Sequence, residues 1–189
     1  MRTKKKILLF IIFIGSFLLL KEPLQGKDSS FFPQDSSACQ SFGIQRFQVK
    51  KEAPPFALKD LSGNDVILSN FKGKPLLLFF WGSYCDACKE DIVLLRKFFE
   101  GKKDQFEILT IVIDGEKEKK VRRVAKNNKI DLPILLDNKE KLARTYGVTM
   151  IPTAFFVNRE GFMEGMAVGQ RDWCGPHALP ATKELLDLR

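Results

Sequence analysis

The alternation of apolar and polar positions divides the chain into three stretches. MRTKKK is followed by the apolar run Ile7–Leu20, a basic start and an apolar segment that together read as an export signal. At about 1.5 Å per residue this run reaches about 21 Å as a helix, short of a hydrocarbon core of roughly 30 Å, which suits a signal peptide. No small-residue cleavage site follows in Lys21–Lys27, which suits an uncleaved anchor. Residues 1–22 are therefore expected to be a signal peptide or an N-terminal membrane anchor. On either reading the remainder lies outside the cytoplasm, periplasmic or extracytoplasmic and tethered to the inner membrane if the leader stays. Residues 23–52 are rich in Ser, Pro, Gln and Gly with no sustained period and read as a linker.

From Ala53 onward the pattern becomes that of a folded domain, residues 53–189. Phe56–Leu58 and Val66–Leu68 flank the turn Leu61–Asp65 and predict a hairpin. The continuous apolar run Pro75–Trp81 predicts a strand buried on both faces. Ile92, Leu95, Phe98 and Phe99 recur at helical spacing before the stop at Gly101. Strands are then expected at 106–113, 134–136, 153–157 and 162–168, and helices at 116–127, 139–146 and 181–188, the last with Pro180 at its start. Strands alternating with helices predict an α/β fold around a central mixed sheet.

Charge adds little to this picture at first. The formal net charge is +8, of which residues 1–22 supply half, with five Lys and Arg against Glu22. The other 167 residues hold 26 basic and 22 acidic side chains, read here as spread out, with no stripe suited to nucleic acid. One His excludes a His-rich metal centre, and 44% hydrophobic residues exclude wholesale disorder.

The chemistry collects where the strand ending at Trp81 gives way to a helix through Gly82-Ser83-Tyr84-Cys85-Asp86-Ala87-Cys88. A cysteine at a helix start faces unpaired N–H groups and the positive end of the dipole, which stabilise a thiolate. Cys88, one turn on, is close enough to resolve a mixed disulfide formed at Cys85. CxxC alone also fits a half zinc site or structural thiols. Its context narrows the choice: Trp81 stands four residues ahead, and Ile151-Pro152-Thr153 opens a later strand where a proline demands special backbone, such as a cis bond.

Together, APPFALKDLSGNDVILSNFKGKPLLLFFWGSYCDAC, Leu132–Asp137 and YGVTMIPTAFFVNREG make the chain resemble the thioredoxin superfamily, and within it the membrane-tethered TlpA/ResA-like thiol-disulfide oxidoreductases. The resemblance runs from about Ala53 to Arg189. It implies a thioredoxin-like fold, a redox-active Cys85–Cys88 disulfide, a cis Ile151–Pro152 bond, and a substrate-docking surface at Trp81, Ile151 and Pro152. It implies no cofactor. Its partners are protein thiols and disulfides, with apocytochrome c as one candidate substrate, and a membrane thiol electron donor. Reduction is the expected direction; a general oxidant or isomerase is the alternative.

Departures from the family pattern matter. Ala87 replaces the usual Pro between the cysteines. Relatives commonly carry Glu three residues after the second Cys and Pro two beyond; here stand Asp91 and Val93. Asp91 is one turn from Cys88 and is the candidate carboxylate to take the Cys88 proton, since Phe79 occupies the place of thioredoxin's buried strand acid. Asp86 is expected to be solvated, its charge opposing a thiolate at Cys85.

Two cysteines remain. Cys39 lies 18 residues past the apolar run without a lipidation box, and Cys174 sits in Trp173-Cys174-Gly175-Pro176-His177, which imitates a redox motif but lacks a second thiol. A structural Cys39–Cys174 disulfide is expected because exported chains tend to pair even cysteine counts. A zinc site from Cys85, Cys88, Cys174 and His177 would consume the redox pair, so no metal is assigned and His177 is read as a surface or capping residue. A peroxidase would place Thr where Gly82 stands, and a copper chaperone would want CxxxC.

Overall fold

The computed structural model describes residues 37–188. The leader, residues 1–22, and the first part of the expected linker lie outside the described residues. Among the described residues five α-helices, α1 (Ser37–Phe42), α2 (Asp86–Phe99), α3 (Glu118–Asn127), α4 (Lys141–Thr145) and α5 (Ala178–Leu186), flank eight strands. The strands are β1 (Ile44–Glu52), β2 (Ala57–Asp60), β3 (Asp65–Ile67), β4 (Leu76–Trp81), β5 (Glu107–Val112), β6 (Ile134–Leu136), β7 (Thr153–Val157) and β8 (Phe162–Val168). They form one mixed sheet in the order β1-β8-β7-β4-β5-β6-β2-β3.

β4 lies at the centre, parallel to β5 and antiparallel to β7, and all six of its residues are buried. Successive side chains point to opposite faces of a strand. Leu77, Phe79 and Trp81 therefore join one core, with side chains from α1, α2, α3 and α5. Leu76, Leu78 and Phe80 join the other, with Leu142, Ala143 and Tyr146 at α4. A strand covered on both faces needs no polar alternation, so its run in the sequence is continuously apolar.

The second half of the expected linker is folded. Ser37–Phe42 forms α1, and Ile44–Glu52 forms β1, which pairs antiparallel with β8 at the edge of the sheet. Cys39, Phe42 and Ile44 are buried, and the Phe42 ring meets Trp173 edge-on with centroids 5.1 Å apart. Burial of such a side chain is worth roughly 1.5–3 kcal/mol, which opposes the entropy of ordering the segment. The outer part of β1 stays exposed and carries Lys50, Lys51 and Glu52, charges that suit an edge strand.

The expected hairpin is β2–β3, and it closes the opposite edge through β2–β6 pairing. α5 begins at Ala178, two residues ahead of Pro180, which falls in the first turn. The N–H that Pro lacks would have no partner within the helix there. At α4, Lys139 and Glu140 both have positive φ, and the buried Asp137 carboxylate accepts from Leu142 N at 2.9 Å and Ala143 N at 2.8 Å. Among the described residues no helix is long and apolar enough to cross a membrane.

Candidate active site

The chain leaves β4 at Trp81, makes the loop Gly82–Cys85 and enters α2. Cys85 is the N-cap, with extended backbone, and its Sγ accepts from Cys88 N at 3.1 Å. Cys85 and Cys88 form a disulfide with Cα atoms 5.3 Å apart. Cys85 is half-buried, whereas Cys88 is fully buried beneath it. The outer sulfur is thus the one an incoming partner meets, and the helix N–H groups point to where its negative charge develops on reduction. Asp86 is exposed and ion-paired with Lys89 at 2.7 Å, a contact that holds its carboxyl below the usual range.

The loop is anchored from β5. Asp114, buried just beyond that strand, accepts from Ser83 N at 2.8 Å and from Ser83 Oγ at 2.6 Å. Ser83 is itself 1% exposed. These bonds tie the segment before Cys85 to the sheet, and the apolar periodicity gives no sign of them.

Ile151–Pro152 is a cis peptide. Thr153 Oγ1 donates to Met150 O at 2.7 Å, and Gly169 N donates to Pro152 O at 2.8 Å, so both sides of the bond are held. A Cβ on Gly82 would lie 2.9 Å from Tyr84 Cε1 and 3.0 Å from Ile151 Cδ1. The two side chains close over Gly82 and bring the cis-proline loop against the loop carrying Cys85. Pro152 is buried and Ile151 half-buried. Around them Tyr84 is 53% exposed and Met150 59% exposed, two apolar side chains that the sequence reading left unassigned.

Asp91 shares the buried stripe of α2 with Cys88, Ile92 and Leu95 and is 1% exposed. Arg171 N reaches both carboxylate oxygens at 3.2 Å, and Trp173 Nε1 donates to Oδ2 at 3.4 Å. Burial outweighs these donors and pushes the Asp91 carboxyl up to about 6. Trp173, read as part of a false redox motif, is a core residue packed against Phe42, Phe79, Phe98 and Phe156. Phe79, at the place of thioredoxin's buried strand acid, is one wall of that packing.

Three expectations change. Trp81 is 0% exposed, because β4 is covered on both faces, and so it supports the loop from below and offers no docking surface. Cys39 and Cys174 do not pair. Cys39 Sγ faces Ala181 O at 3.9 Å within the core, while Cys174 is exposed with Sγ 3.7 Å from Leu94 O. The basic charge beyond the leader is not spread out: Gly115–Lys129 holds seven Lys and Arg against two Glu. His177 is exposed at the N-cap position of α5 and makes no side-chain cap. Among the described residues no group of three or more His, Cys, Asp or Glu could hold a metal ion.

The family model described as AhpC/TSA matches residues 49–166. The chain is 31% identical to the thiol-disulfide oxidoreductase ResA of Bacillus subtilis (strain 168) over 127 residues, 67% of this chain and 71% of that one. It is 31% identical to the sporulation thiol-disulfide oxidoreductase A of the same organism over 132 residues, 67% of this chain and 79% of that one. The crystal structure of the pneumococcal exposed lipoprotein thioredoxin Etrx1 of Streptococcus pneumoniae strain TIGR4 superposes with a TM-score of 0.62 at 30% identity, covering 69% of this chain and 99% of that one. With its thioredoxin-like sheet and a Cys85–Cys88 disulfide at the start of α2, this chain belongs to the AhpC/TSA family and is a thiol-disulfide oxidoreductase of the ResA type.

Proposed function

We propose that the chain works outside the cytoplasm, held to the membrane by residues 1–22, and reduces disulfides of protein substrates, apocytochrome c among the candidates. The observation that carries the exchange chemistry is the asymmetric pair at the start of α2, an accessible Cys85 over a buried Cys88. In the reduced enzyme the Cys85 thiolate attacks a substrate disulfide, forming a mixed disulfide and releasing one substrate thiolate. Cys88 then loses its proton and attacks Cys85 Sγ, which forms the enzyme disulfide and releases the second substrate thiolate. Two electrons pass to the substrate, and a membrane protein dithiol restores the pair. Asp91 is the proton acceptor for Cys88: it sits one turn along the same buried stripe, and burial pushes its carboxyl up to about 6. Ile151, with Tyr84 and Met150, is the surface on which the substrate chain docks, and the buried Pro152 shapes it from beneath.

The crowding at Gly82 speaks against peroxidase chemistry. A Thr at that place would bring its side chain into the Tyr84 ring and Ile151.

Export is tested in intact cells with a membrane-impermeant maleimide, which should label the exposed Cys174. Protection until lysis contradicts the location. Catalysis and direction are tested on the full chain in detergent. Cys85→Ser should abolish exchange and Cys88→Ser should accumulate the mixed disulfide, while titration in thiol buffers should return a strongly negative potential. Potentials of about −270 mV belong to reducing thioredoxins and about −120 mV to strong oxidants, and a value near the latter overturns the reductase reading.

A further inference from the structure

The positive charge of the domain is gathered on one helix and the turns at its two ends. Residues 53–189 hold 22 Lys and Arg against 19 Asp and Glu, yet Gly115–Lys129 alone holds seven against two. The rest of that domain is slightly acidic. α3 buries Val121, Val124 and Ala125, so the cations are turned to the other faces. Arg122 is occupied by Glu118 at 2.5 Å, and Lys117 lies 3.9 Å from the buried Asp114. Among the described residues no carboxylate pairs with Lys119, Lys120 or Arg123.

This face begins at the redox site. Lys120 Nζ lies 5.7 Å from the centre of the Tyr84 ring, and Tyr84 directly precedes Cys85. Lys117 approaches Asp114, which holds Ser83. The exposed Tyr84 therefore joins two surfaces: an apolar strip through Ile151 to Met150, and the basic start of α3. On α2, beside Cys85, the charges are mixed, the exposed Asp86 with the half-buried Lys89.

We infer that α3 is a docking surface for an acidic segment of the protein partner, lying a few residues from the partner's disulfide and placed so that Lys119, Lys120 and Arg123 meet its carboxylates while Tyr84 meets an apolar side chain. The inference rests on the reading that Cys85–Cys88 exchanges with protein disulfides. A partner that delivers a disulfide to Cys85 lays its chain across Tyr84, and charge of one sign along that path raises the encounter rate with the opposite sign. A protein is favoured over a lipid surface because the cations continue a surface that the protein substrate has to touch.

The test uses the dithiothreitol-reduced full chain in stopped flow with three probes: the neutral 2-hydroxyethyl disulfide and two otherwise identical disulfide-bonded peptides flanked by Glu or by Lys. The Glu peptide should react about tenfold faster than the Lys peptide at low salt, an advantage that shrinks as ionic strength rises toward about 1 M. In Lys119→Glu/Lys120→Glu/Arg123→Glu the ratio of the two peptide rates should invert, with Lys120→Gln intermediate; circular dichroism confirms folding. A ratio near one while the neutral disulfide still reacts overturns the docking surface and leaves the exchange chemistry standing. No reaction with any probe overturns the functional reading itself. A ratio near one together with charge-dependent sedimentation on phosphatidylglycerol vesicles assigns the face to lipid and overturns the inference.

Discussion

Trp173 Nε1 donates to Asp91 Oδ2 at 3.4 Å, across 82 residues of sequence. The indole closes the pocket that dehydrates the acid and also supplies one of the few dipoles that stabilise its charge. Burial raises the carboxyl, and the Arg171 and Trp173 N–H groups limit the rise. Asp91 lies inside the family match at residues 49–166 and Trp173 beyond it, on a segment that imitates a redox motif.

Asp91→Asn should remove a titration from catalysis and from stability. Between pH 3.8, its ordinary value, and about 6, the folded chain keeps a proton on Asp91 that the unfolded chain has released. Stability therefore falls as pH rises through that window, by roughly 2–3 kcal/mol at most. Asn, which stays neutral, should be more stable than the parent at pH 7 and lack this slope in urea titrations. Release of substrate from the mixed disulfide should rise with pH around 6 in the parent and lose that limb in the variant.

Trp173→Phe keeps a ring in the aromatic cluster and removes the N–H. The Asp91 carboxyl should move further up, carrying the pH limb of resolution with it. The lost hydrogen bond should cost about 1 kcal/mol of stability. An unchanged pH profile with lowered stability would reduce Trp173 to packing alone.

Ser83 and Asp114 should behave as a unit. Ser83→Ala and Asp114→Ala each leave a buried polar group without its partner, at a cost of about 1–3 kcal/mol. The double variant should lose less than the sum, with a coupling of roughly 0.5–3 kcal/mol in a double-mutant cycle. Both single variants should slow protein-disulfide exchange, because the loop before Cys85 is no longer tied to β5.

Gly82→Ala places a Cβ 2.9 Å from the Tyr84 ring and 3.0 Å from Ile151. One of the two must move, at a cost of about 1–3 kcal/mol for overpacking. Stopped-flow exchange should slow more on peptide disulfides than on a small neutral disulfide, since the docking strip is displaced while the sulfurs stay in place.

A chain begun at Ala53 should lose stability although the family pattern starts near there. Without α1 and β1 the Trp173 ring is uncovered on its Phe42 side, and β8 loses its outer partner. Phe42→Ala in the full chain should cost about 3–5 kcal/mol, read from denaturant unfolding.

The sequence by itself determined the central strand, the order of elements from β2 to β8, and the place of the redox pair. A strand buried on both faces must be apolar throughout, as Leu76–Trp81 is, and a strand-to-helix turn carrying CxxC announces a helix N-terminus beneath a sulfur. The cis bond at Ile151–Pro152 was also legible, because a proline has no N–H to give a central ladder. Other features depended on contacts between distant segments, which local periodicity does not carry. β1 has a single buried neighbour strand and an exposed outer edge, so Ile44–Glu52 shows no regular alternation and reads as linker. The even cysteine count suggested a pair, but Cys39 is enclosed beside α5 and Cys174 lies at the surface. Tertiary structure alone decided that Trp173 and Arg171 reach Asp91, that Asp114 holds Ser83, and that the cations of α3 adjoin Tyr84. Each of these contacts joins segments far apart in the chain, at a distance set by how the helices and loops close over the sheet.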